Sequence, residues 1–349
     1  MTQNVRELEL VESLVAGFPR SPLQCNRVQE SDAELVSLKK YSSGFLAITT
    51  DGIVEEIESG LYADPYLIGW MTVVSSLSDL AAVGAEPVGL LIAETLSSTL
   101  TPRDLTALQT GIRDACVQCG SAILGGDTNV GSKLHMVGTA VGIISDGPLM
   151  TRKGCKVGDA LYCTGPLGTG NAFAATRFFE TGCQELEFLP KARIAEGQTI
   201  RPIASACMDT SDGLFATLDQ LGRLNTVGFE LAAGWEDAIS TGAQRLASAT
   251  HLSHWMLLAG PHGEFELVFT VPPDREFEVA KCLNSEGRPF RQIGKVVREM
   301  GVRLEGLGYF HPDQLATLRN KEIRNGSDVR NFLAFLVDLE SRVRTSTNQ

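Results

Sequence analysis

Short apolar runs alternate with longer amphipathic segments along most of the chain. After a helical opening, residues 44–52 form a β-rich run that ends in polar residues and predicts a strand. Asp64-Pro65 then supplies a cap and a first-turn proline for a helix that runs to about Gly84. The same reasoning predicts strands at 88–93, 121–124, 135–145, 159–164, 227–231 and 265–271, and helices at 101–120, 171–181 and 329–343. This alternation is typical of an α/β fold.

The break at Asp146-Gly147-Pro148 is the predicted boundary between two domains. A length of 349 residues favours two domains, each large enough to bury a core. Strands and helices alternate on both sides of the break. We therefore expect an N-terminal domain over 1–148 and a C-terminal α/β domain over 149–311, followed by a helical extension over 312–349.

Three aspartates share one local pattern, in which an apolar strand and a small residue precede the carboxylate. They are Asp51 in Thr50-Asp51-Gly52, Asp127 in Gly126-Asp127-Thr128 and Asp212 in Ser211-Asp212-Gly213. For Asp51 and Asp127 we expect a strand to deliver the aspartate to a turn. Each aspartate alone is also explained as a turn or capping residue, most of all Asp212, which precedes a predicted helix.

Asp79 belongs to a polar stripe on an otherwise apolar predicted helix. Thr72, Ser75, Ser76 and Asp79 fall at i, i+3, i+4 and i+7, which places them on one helix face. The apolar residues around them indicate burial over much of the helix, so the stripe is expected to face an internal polar site or a wet cleft. A solvated helix face is the alternative explanation.

A convergence of Asp32, Asp51, Asp79, Asp127 and Asp212 would bring several negative charges together. Their mutual repulsion favours divalent cations as counter-ions, and oxygen-rich clusters suit Mg²⁺. Because Mg²⁺ commonly bridges carboxylates to phosphates, a nucleoside triphosphate is the expected partner. The sequence has no GxxxxGK[ST] run, and residues 165–170 do not complete GxGxxG, so neither phosphate-binding motif is predicted.

The charge balance disfavours other classes of protein. With 42 acidic and 30 basic residues, the net charge is −12, which disfavours binding to nucleic acid or anionic membranes. The N-terminal residues lack a signal-peptide pattern, and no run reaches about 18 apolar residues, so we expect a soluble cytoplasmic protein. The eight scattered cysteines are expected to be reduced, with Cys116 and Cys119 packed in a helix rather than bound to zinc.

Several motifs together resemble those of the thiamine-monophosphate kinases, within the ATP-binding superfamily of aminoimidazole ribonucleotide synthase. The likeness runs over about residues 30–272 and rests on the order and spacing of the motifs rather than on any one of them. The motifs are Thr49-Thr50-Asp51 with Val54-Glu55, the run from Leu77 to Pro87 around Asp79, Gly125-Gly126-Asp127-Thr128, Thr151-Arg152, Gly158-Asp159, Thr164-Gly165, Asp209-Thr210-Ser211-Asp212-Gly213-Leu214 and Phe265-Glu266-Leu267.

The resemblance implies a two-domain α/β fold with an N-terminal sheet domain that forms a homodimer, and with ATP and several Mg²⁺ ions in a cleft between the domains. It also implies phosphoryl transfer from ATP to a phosphate already present on a small substrate. The implied metal ligands are Asp32, Thr49, Thr50, Asp51, Asp79, Asp127, Asp209 and Asp212, and the implied ATP contacts are Gly126, Asp127, Arg152 and Ser211. The implied catalytic residues are Asp51, Asp79, Asp127, Arg152 and Asp212.

Departures from the family pattern gather where the family holds its substrate. Glu58 replaces a histidine, and Gly263, which follows His262, stands where the family has a substrate-contacting glutamate. Glu58 and Glu264 are therefore the candidate substrate contacts. Two explanations are open for Glu58 and His262. One is ordinary sequence change at the protein surface, and the other is a substrate with a cationic group that pairs with Glu58. Three replacements fall near the expected metal site, at Ser31, Met71 and Ser76.

Three functions remain open at this stage. The first is an ATP- and Mg²⁺-dependent kinase of thiamine monophosphate or of another small molecule, and the altered pocket favours the latter. The second is another ATP-dependent activating enzyme of the superfamily, although Cys25 lacks the surroundings typical of the selenophosphate enzymes. The third is a non-catalytic nucleotide-binding paralogue that acts as a partner subunit. Holding so many carboxylates close together costs free energy, so their retention argues against this third function.

Overall fold

The computed structural model describes residues 9, 22–27, 29–39, 44–179, 183, 186–286, 290–320 and 326–346. The expected helical opening lies outside this part of the chain, apart from Glu9. Among the helices described, none is long and apolar enough to cross a membrane. The residues form two mixed β-sheets with helices packed on them, which confirms the predicted α/β class.

The first sheet is built from residues 34–144. Its strands are β1 (Glu34–Ser37), β2 (Phe45–Gly52), β3 (Glu86–Ser97), β4 (Ile123–Gly131) and β5 (His135–Ile144), and the helices between them are α1 (Val54–Ser59), α2 (Pro65–Ala82) and α3 (Pro102–Gln118). The strand order is β1-β2-β5-β3-β4. Neighbouring strands are antiparallel, except that β3 and β4 are parallel. Helix α2 packs on the sheet, and α3 packs on α2.

The second sheet is built from residues 160–310 and is followed by two terminal helices. Its strands are β6 (Ala160–Cys163), β7 (Ala206–Asp209), β8 (Gly228–Leu231), β9 (Leu267–Val271), β10 (Arg291–Val297), β11 (Gly301–Leu304) and β12 (Gly308–Phe310). The helices are α4 (Thr169–Phe178), α5 (Ile194–Ile200), α6 (Leu214–Asn225), α7 (Thr241–Thr250), α8 (Met256–Ala259), α9 (Glu276–Glu286), α10 (Pro312–Arg319) and α11 (Gly326–Ser346). The strand order is β12-β11-β8-β10-β6-β9-β7.

Helix α2 forms where local signals and burial agree. The Asp64 side chain accepts a hydrogen bond from Tyr66 N, and a proline occupies the first turn. Two glycines then permit close packing against α3. A β-carbon added at Gly69 would lie 2.0 Å from Leu108 O, and one added at Gly111 of α3 would lie 2.0 Å from Tyr66 O. The two helices therefore cross with their backbones in contact.

Helix α2 also joins the two halves of the chain. It packs against α5 and β7 of the second half, and the core around it continues from Leu77 to Tyr162 and Phe269 of the second sheet. Because Asp79 lies on this helix, the same packing sets the position of that carboxylate relative to β7. The domain boundaries expected at 148 and 311 stay predictions.

Strand β4 differs from the sequence-based expectation. It continues through Gly125-Gly126-Asp127-Thr128, where the sequence predicts a turn. The backbone stays paired with β3, with Ile92 opposite Gly126 and Ala93 opposite Asp127. Non-local strand pairing therefore outweighs the local tendency of the two glycines to form a turn.

The helix expected to start at 171 starts earlier, and the alternative explanation of Asp212 as a helix cap is wrong. Helix α4 begins at Thr169, and the Asn171 side chain donates instead to Leu257 O at 2.8 Å and Gly260 O at 3.1 Å. Helix α6 begins at Leu214 with no side-chain cap, so Asp212 is not engaged as a capping residue. The remaining predicted elements occur, with ends shifted by a few residues.

The predicted terminal helix is confirmed as α11. Its buried positions, Phe332, Leu336, Leu339 and Val343, recur every three or four residues, as expected for one helix face packed on a core. The helix packs beside β12. Cys116 and Cys119 are buried packing residues, as expected.

Replacement of Gly111 by alanine tests the crossing of α2 and α3. In an exposed helix this change raises stability by about 0.5–1 kcal/mol. Here we expect a loss of about 1–3 kcal/mol, because the added methyl group would overlap Tyr66 O. Urea unfolding followed by circular dichroism measures the change, with Gln109→Ala on the exposed side of α3 as the control. A gain in stability at Gly111 would contradict the close crossing.

Candidate functional site

Three carboxylates meet where the two halves of the chain join. One oxygen from each of Asp32, Asp79 and Asp209 lies within 4.8 Å of the other two. Asp32 lies in the loop before β1, Asp79 in the last turn of α2 and Asp209 at the end of β7. These three residues, called the aspartate cluster below, therefore come from both halves.

Negative charge surrounds Asp79 on several sides. Thr49 Oγ1 donates a hydrogen bond to Asp79 Oδ2 at 2.5 Å. Burial raises the pKa of Asp79 well above its ordinary value, and the charges of Asp51, Asp209 and Asp32 raise this pKa further. Asp51, at the end of β2, hydrogen-bonds to Asp79, and burial raises the pKa of Asp51 as well. The polar stripe on α2 does face an internal polar site at Asp79.

Two hydroxyl groups hold Asp209. Ser78 Oγ donates to Asp209 Oδ2 at 2.5 Å, and Ser211 Oγ donates to Asp209 Oδ1 at 2.8 Å. Burial first, and then the charge of Asp32, raise the pKa of Asp209 to about 7, although both hydrogen bonds favour the charged form. The bond from Ser78 ties α2 to β7. Sequence reasoning missed Ser78 because it lies outside the polar stripe.

Arg152 brings a positive charge to the aspartate cluster. Its Nη2 donates to Asp32 Oδ1 at 2.8 Å, and the Arg152 side chain is only 16% exposed. The backbone on which it sits is also held, because Arg152 N donates to Glu30 O and Arg152 O accepts from Asn225 Nδ2. Since a guanidinium stays protonated in proteins, Arg152 is a fixed cation beside several carboxylates.

The oxygen atoms at this site suit a hard divalent cation. Asp32 Oδ2 and Asp51 Oδ2 are buried and have no hydrogen-bond partner within the described ranges. The same holds for the hydroxyl oxygens of Ser31 and Ser75. Buried polar atoms nearly always find a partner, and adjacent carboxylates repel one another. Mg²⁺ binds such oxygen ligands together with water, so the residues fit this ion.

Asp212 lies at the rim of the site and is about half exposed. Its Oδ2 is 4.0 Å from Arg319 Nη2, and the Arg319 side chain is almost fully buried. The charge of Asp212 contributes to the raised pKa of Asp51 and of Glu56, so all three lie near one another. Neither Glu56 nor Arg319 was singled out by sequence reasoning. Arg319 carries no local signal, since it reaches Asp212 from 107 residues away.

Thr50, Gly126 and Asp127, which are predicted metal or ATP contacts, lie outside the aspartate cluster. Thr50 lies on the opposite face of β2 from Thr49, and its Oγ1 donates to Gly138 O at 3.0 Å. Gly126 and Asp127 lie on the exposed strand β4, where Asp127 Oδ2 accepts from Asn129 Nδ2 at 2.7 Å. Their roles toward metal and ATP stay predictions.

The two candidate substrate contacts have partners within the chain. Glu58 Oε1 is 2.7 Å from Lys133 Nζ, and this hydrogen bond lowers the pKa of the exposed Glu58. Glu264 is buried and accepts from Gly168 N at 2.7 Å and Thr210 Oγ1 at 3.1 Å. Burial raises the pKa of Glu264 to about 8. Glu264 therefore supports the glycine-rich loop that precedes α4.

The altered motif around Gly263 packs tightly inside the second half. A β-carbon added at Gly263 would lie 1.4 Å from Thr210 O, so this backbone path admits no side chain. His262 is not a surface residue. Its Nε2 is buried, burial lowers its pKa to about 4, and it lines an apolar cavity of about 50 Å³ whose walls include Phe178 and Phe332. His262 thus belongs to the packing between α4 and α11.

Solved structures with the same fold come from more than one kind of protein. The structure of AaThiL complexed with AMPPCP and TMP has a TM-score of 0.70 and 22% identity, with 88% of this chain and 96% of that chain covered. HypE, a hydrogenase maturation protein from Escherichia coli, has a TM-score of 0.64 and 24% identity, with 86% and 94% covered. At this level of identity the likeness establishes the fold alone.

Sequence comparison is more specific. Residues 30–144 match the family described as AIR synthase related protein, N-terminal domain. The thiamine-monophosphate kinase of Methanospirillum hungatei is 31% identical over 276 residues, which cover 77% of this chain and 89% of that relative. The thiamine-monophosphate kinase of Escherichia coli K12 is 30% identical over 285 residues, which cover 78% and 84%. The chain therefore belongs to the thiamine-monophosphate kinase family.

Proposed function

We propose that this protein transfers the γ-phosphoryl group of ATP to thiamine monophosphate. The observation that carries this proposal is the aspartate cluster beside the Arg152 cation, with Asp32 Oδ2 and the neighbouring Asp51 Oδ2 unpartnered within the described residues. Such a site suits metal-bound phosphates. The names of the relatives support this activity, and so does the similar structure that contains AMPPCP, an ATP analogue, with TMP.

Mg²⁺ is the proposed metal. The aspartate cluster and Asp51 would hold it, with Thr49 beside Asp79 and with Asp212 at the rim. When bound there, Mg²⁺ would supply positive charge that offsets the charge developing on the transferred phosphoryl group. Thr50 and Asp127 remain proposed ligands through the family resemblance alone.

The residues of the chain contribute to the reaction by positioning the reactants. An oxygen of the acceptor phosphate attacks the γ-phosphorus of ATP, the bond to the β,γ-bridging oxygen breaks, and ADP leaves. We infer that Arg152 neutralises phosphate charge beside Asp32, and that Gly126, Asp127 and Ser211 contact ATP. The acceptor phosphate is already ionised at neutral pH, so the attack requires no general base. The rate gain then comes from alignment and charge neutralisation.

The altered residues bear on the acceptor rather than on the metal. Glu58 pairs with Lys133, and the backbone at Gly263 leaves no room for the side chain that the family carries there. Both observations favour a second candidate function, which is the same phosphoryl transfer to a different small acceptor. The non-catalytic alternative is disfavoured by the cost of keeping buried carboxylates together.

We further infer a homodimer formed through an open face of the first sheet. Alternate residues of β5, such as Met136 and Ala140, are buried on the α2 side. On the other side lie Leu46, Ile48, Leu91, Val141 and Ile143, which no described element covers fully; Leu91 is 43% and Ile143 37% exposed. An apolar sheet face of this kind is typical of an interaction surface. This outer face supports the dimer that the family resemblance implies.

A charge placed on this outer face should separate the dimer. Val141 lies on central strand β5, paired with Ile48 of β2, so Val141→Glu would bury a carboxylate at the centre of the interface. We expect a dimer for the unmodified chain and a folded monomer for Val141→Glu, measured by size exclusion with light scattering. Val157→Glu, at an exposed position of the second half, is the matched control. A Val141→Glu dimer would contradict this interface.

Replacement of Asp79 by asparagine should uncouple metal binding from folding. In chelator we expect Asp79→Asn to melt about 1–3 °C higher than the unmodified chain, because a repelled buried charge is removed. We also expect the rise in melting temperature caused by Mg²⁺ to be lost. Asp127→Asn is the control for the first effect, since Asp127 is exposed and outside the cluster. An unchanged Mg²⁺ response in Asp79→Asn would count against the metal site.

The identity of the product tests the proposed reaction. We expect ³¹P NMR of the protein with ATP, Mg²⁺ and thiamine monophosphate to show thiamine diphosphate and ADP, with Asp79→Asn as the inactive control. Formation of ADP only when another small phosphate is supplied would favour the second candidate function. ATP that stays intact with every acceptor, in a sample shown to be folded, would overturn the kinase proposal.

A further inference from the structure

Helix α10, the first of the two terminal helices, packs on α6, the helix that follows Asp212. Leu315, Ala316 and Leu318 of α10 are buried. At the start of α10, Arg223 Nη2 donates to Pro312 O at 2.9 Å, while Arg223 Nε donates to Asp219 of α6. These contacts fix the position of α10 along α6. They therefore also fix the position of the last residue of α10.

That residue is Arg319. Its side chain is 6% exposed, Nη1 donates to Gln220 Oε1 at 3.1 Å, and Nη2 lies 4.0 Å from Asp212 Oδ2. Gln220 is itself buried on α6. Packing and Gln220 thus hold the guanidinium in place. Asp212, in contrast, is 53% exposed and accessible to solvent.

We propose that Arg319 is the resident counter-ion of Asp212, with which Mg²⁺ must compete, so that the segment after residue 311 sets the metal affinity of the cleft. This inference rests on the proposed function, because it takes Asp212 as a metal ligand. A cation fixed 4.0 Å from Asp212 stabilises the carboxylate when no metal is bound and repels a divalent ion that approaches the same oxygens. Arg319 acts through Asp212 and is a positioning residue.

Binding of Mn²⁺ to the full chain without nucleotide tests this proposal. Free Mn²⁺ is measured by electron paramagnetic resonance, so the readout does not depend on turnover. We expect Arg319→Gln and Arg319→Met to bind Mn²⁺ about two- to fivefold more tightly, the range for a half-exposed ion pair. Arg319→Lys keeps the charge and should stay close to the unmodified chain. Both neutral variants are made because methionine preserves the buried stem if glutamine weakens packing.

Two further variants isolate the Asp212 contact. Arg342→Gln removes the same charge from an exposed pair with Asp338 on α11 and should leave Mn²⁺ affinity unchanged. In an Asp212→Asn background, Arg319→Gln should have no effect, since the two changes remove one interaction. Equal Mn²⁺ affinity for the unmodified chain and both neutral variants would overturn the counter-ion role. An unmodified chain that binds no Mn²⁺ would instead overturn the metal site of the proposed function.

Discussion

Asp32, Asp79 and Asp209 are held with their carboxylate oxygens within 4.8 Å of one another, although like charges in a buried site repel. The side chains around these residues offset part of that repulsion. Arg152 offsets one charge, Thr49 donates to a second and Ser78 to a third. Two carboxylate oxygens, Asp32 Oδ2 and Asp51 Oδ2, nevertheless have no hydrogen-bond partner among the described residues. The proposed Mg²⁺ would supply the missing partner of these oxygens.

Helix α2 is the element that makes the arrangement rigid. It crosses α3 through paired glycines, packs on β5 and reaches β7 of the second half. The carboxylate of Asp79 and the hydroxyl of Ser78 leave this helix at consecutive positions, one toward Thr49 of the first sheet and the other toward Asp209 of the second. Relative movement of the two halves would therefore displace the contacts of Asp79 and Ser78. The geometry of the cleft thus depends on the packing of α2.

The aspartate cluster and the residues around it differ in character. Asp79 and Asp209 belong to the family motifs and lie at the ends of α2 and β7, while Asp32 lies in the loop before β1. Outside the cluster, Glu58 pairs with Lys133, the backbone at Gly263 lies against Thr210 O, and Arg319 of the terminal segment faces Asp212. A change of acceptor that involved these residues would leave the aspartate cluster intact. Such a division allows an altered acceptor within the same phosphoryl-transfer chemistry.

The sequence by itself determined the α/β class, most helices and strands, the internal polar face at Asp79 and, through the order of its motifs, the family. These features follow from local periodicity, capping and spacing, which act over a few residues. Only the tertiary structure decided that β4 runs straight through Asp127, that Ser78 bonds Asp209 and that Arg319 reaches Asp212. Each of these contacts joins residues distant along the chain, and strand pairing or helix packing, which no local pattern encodes, brings them together.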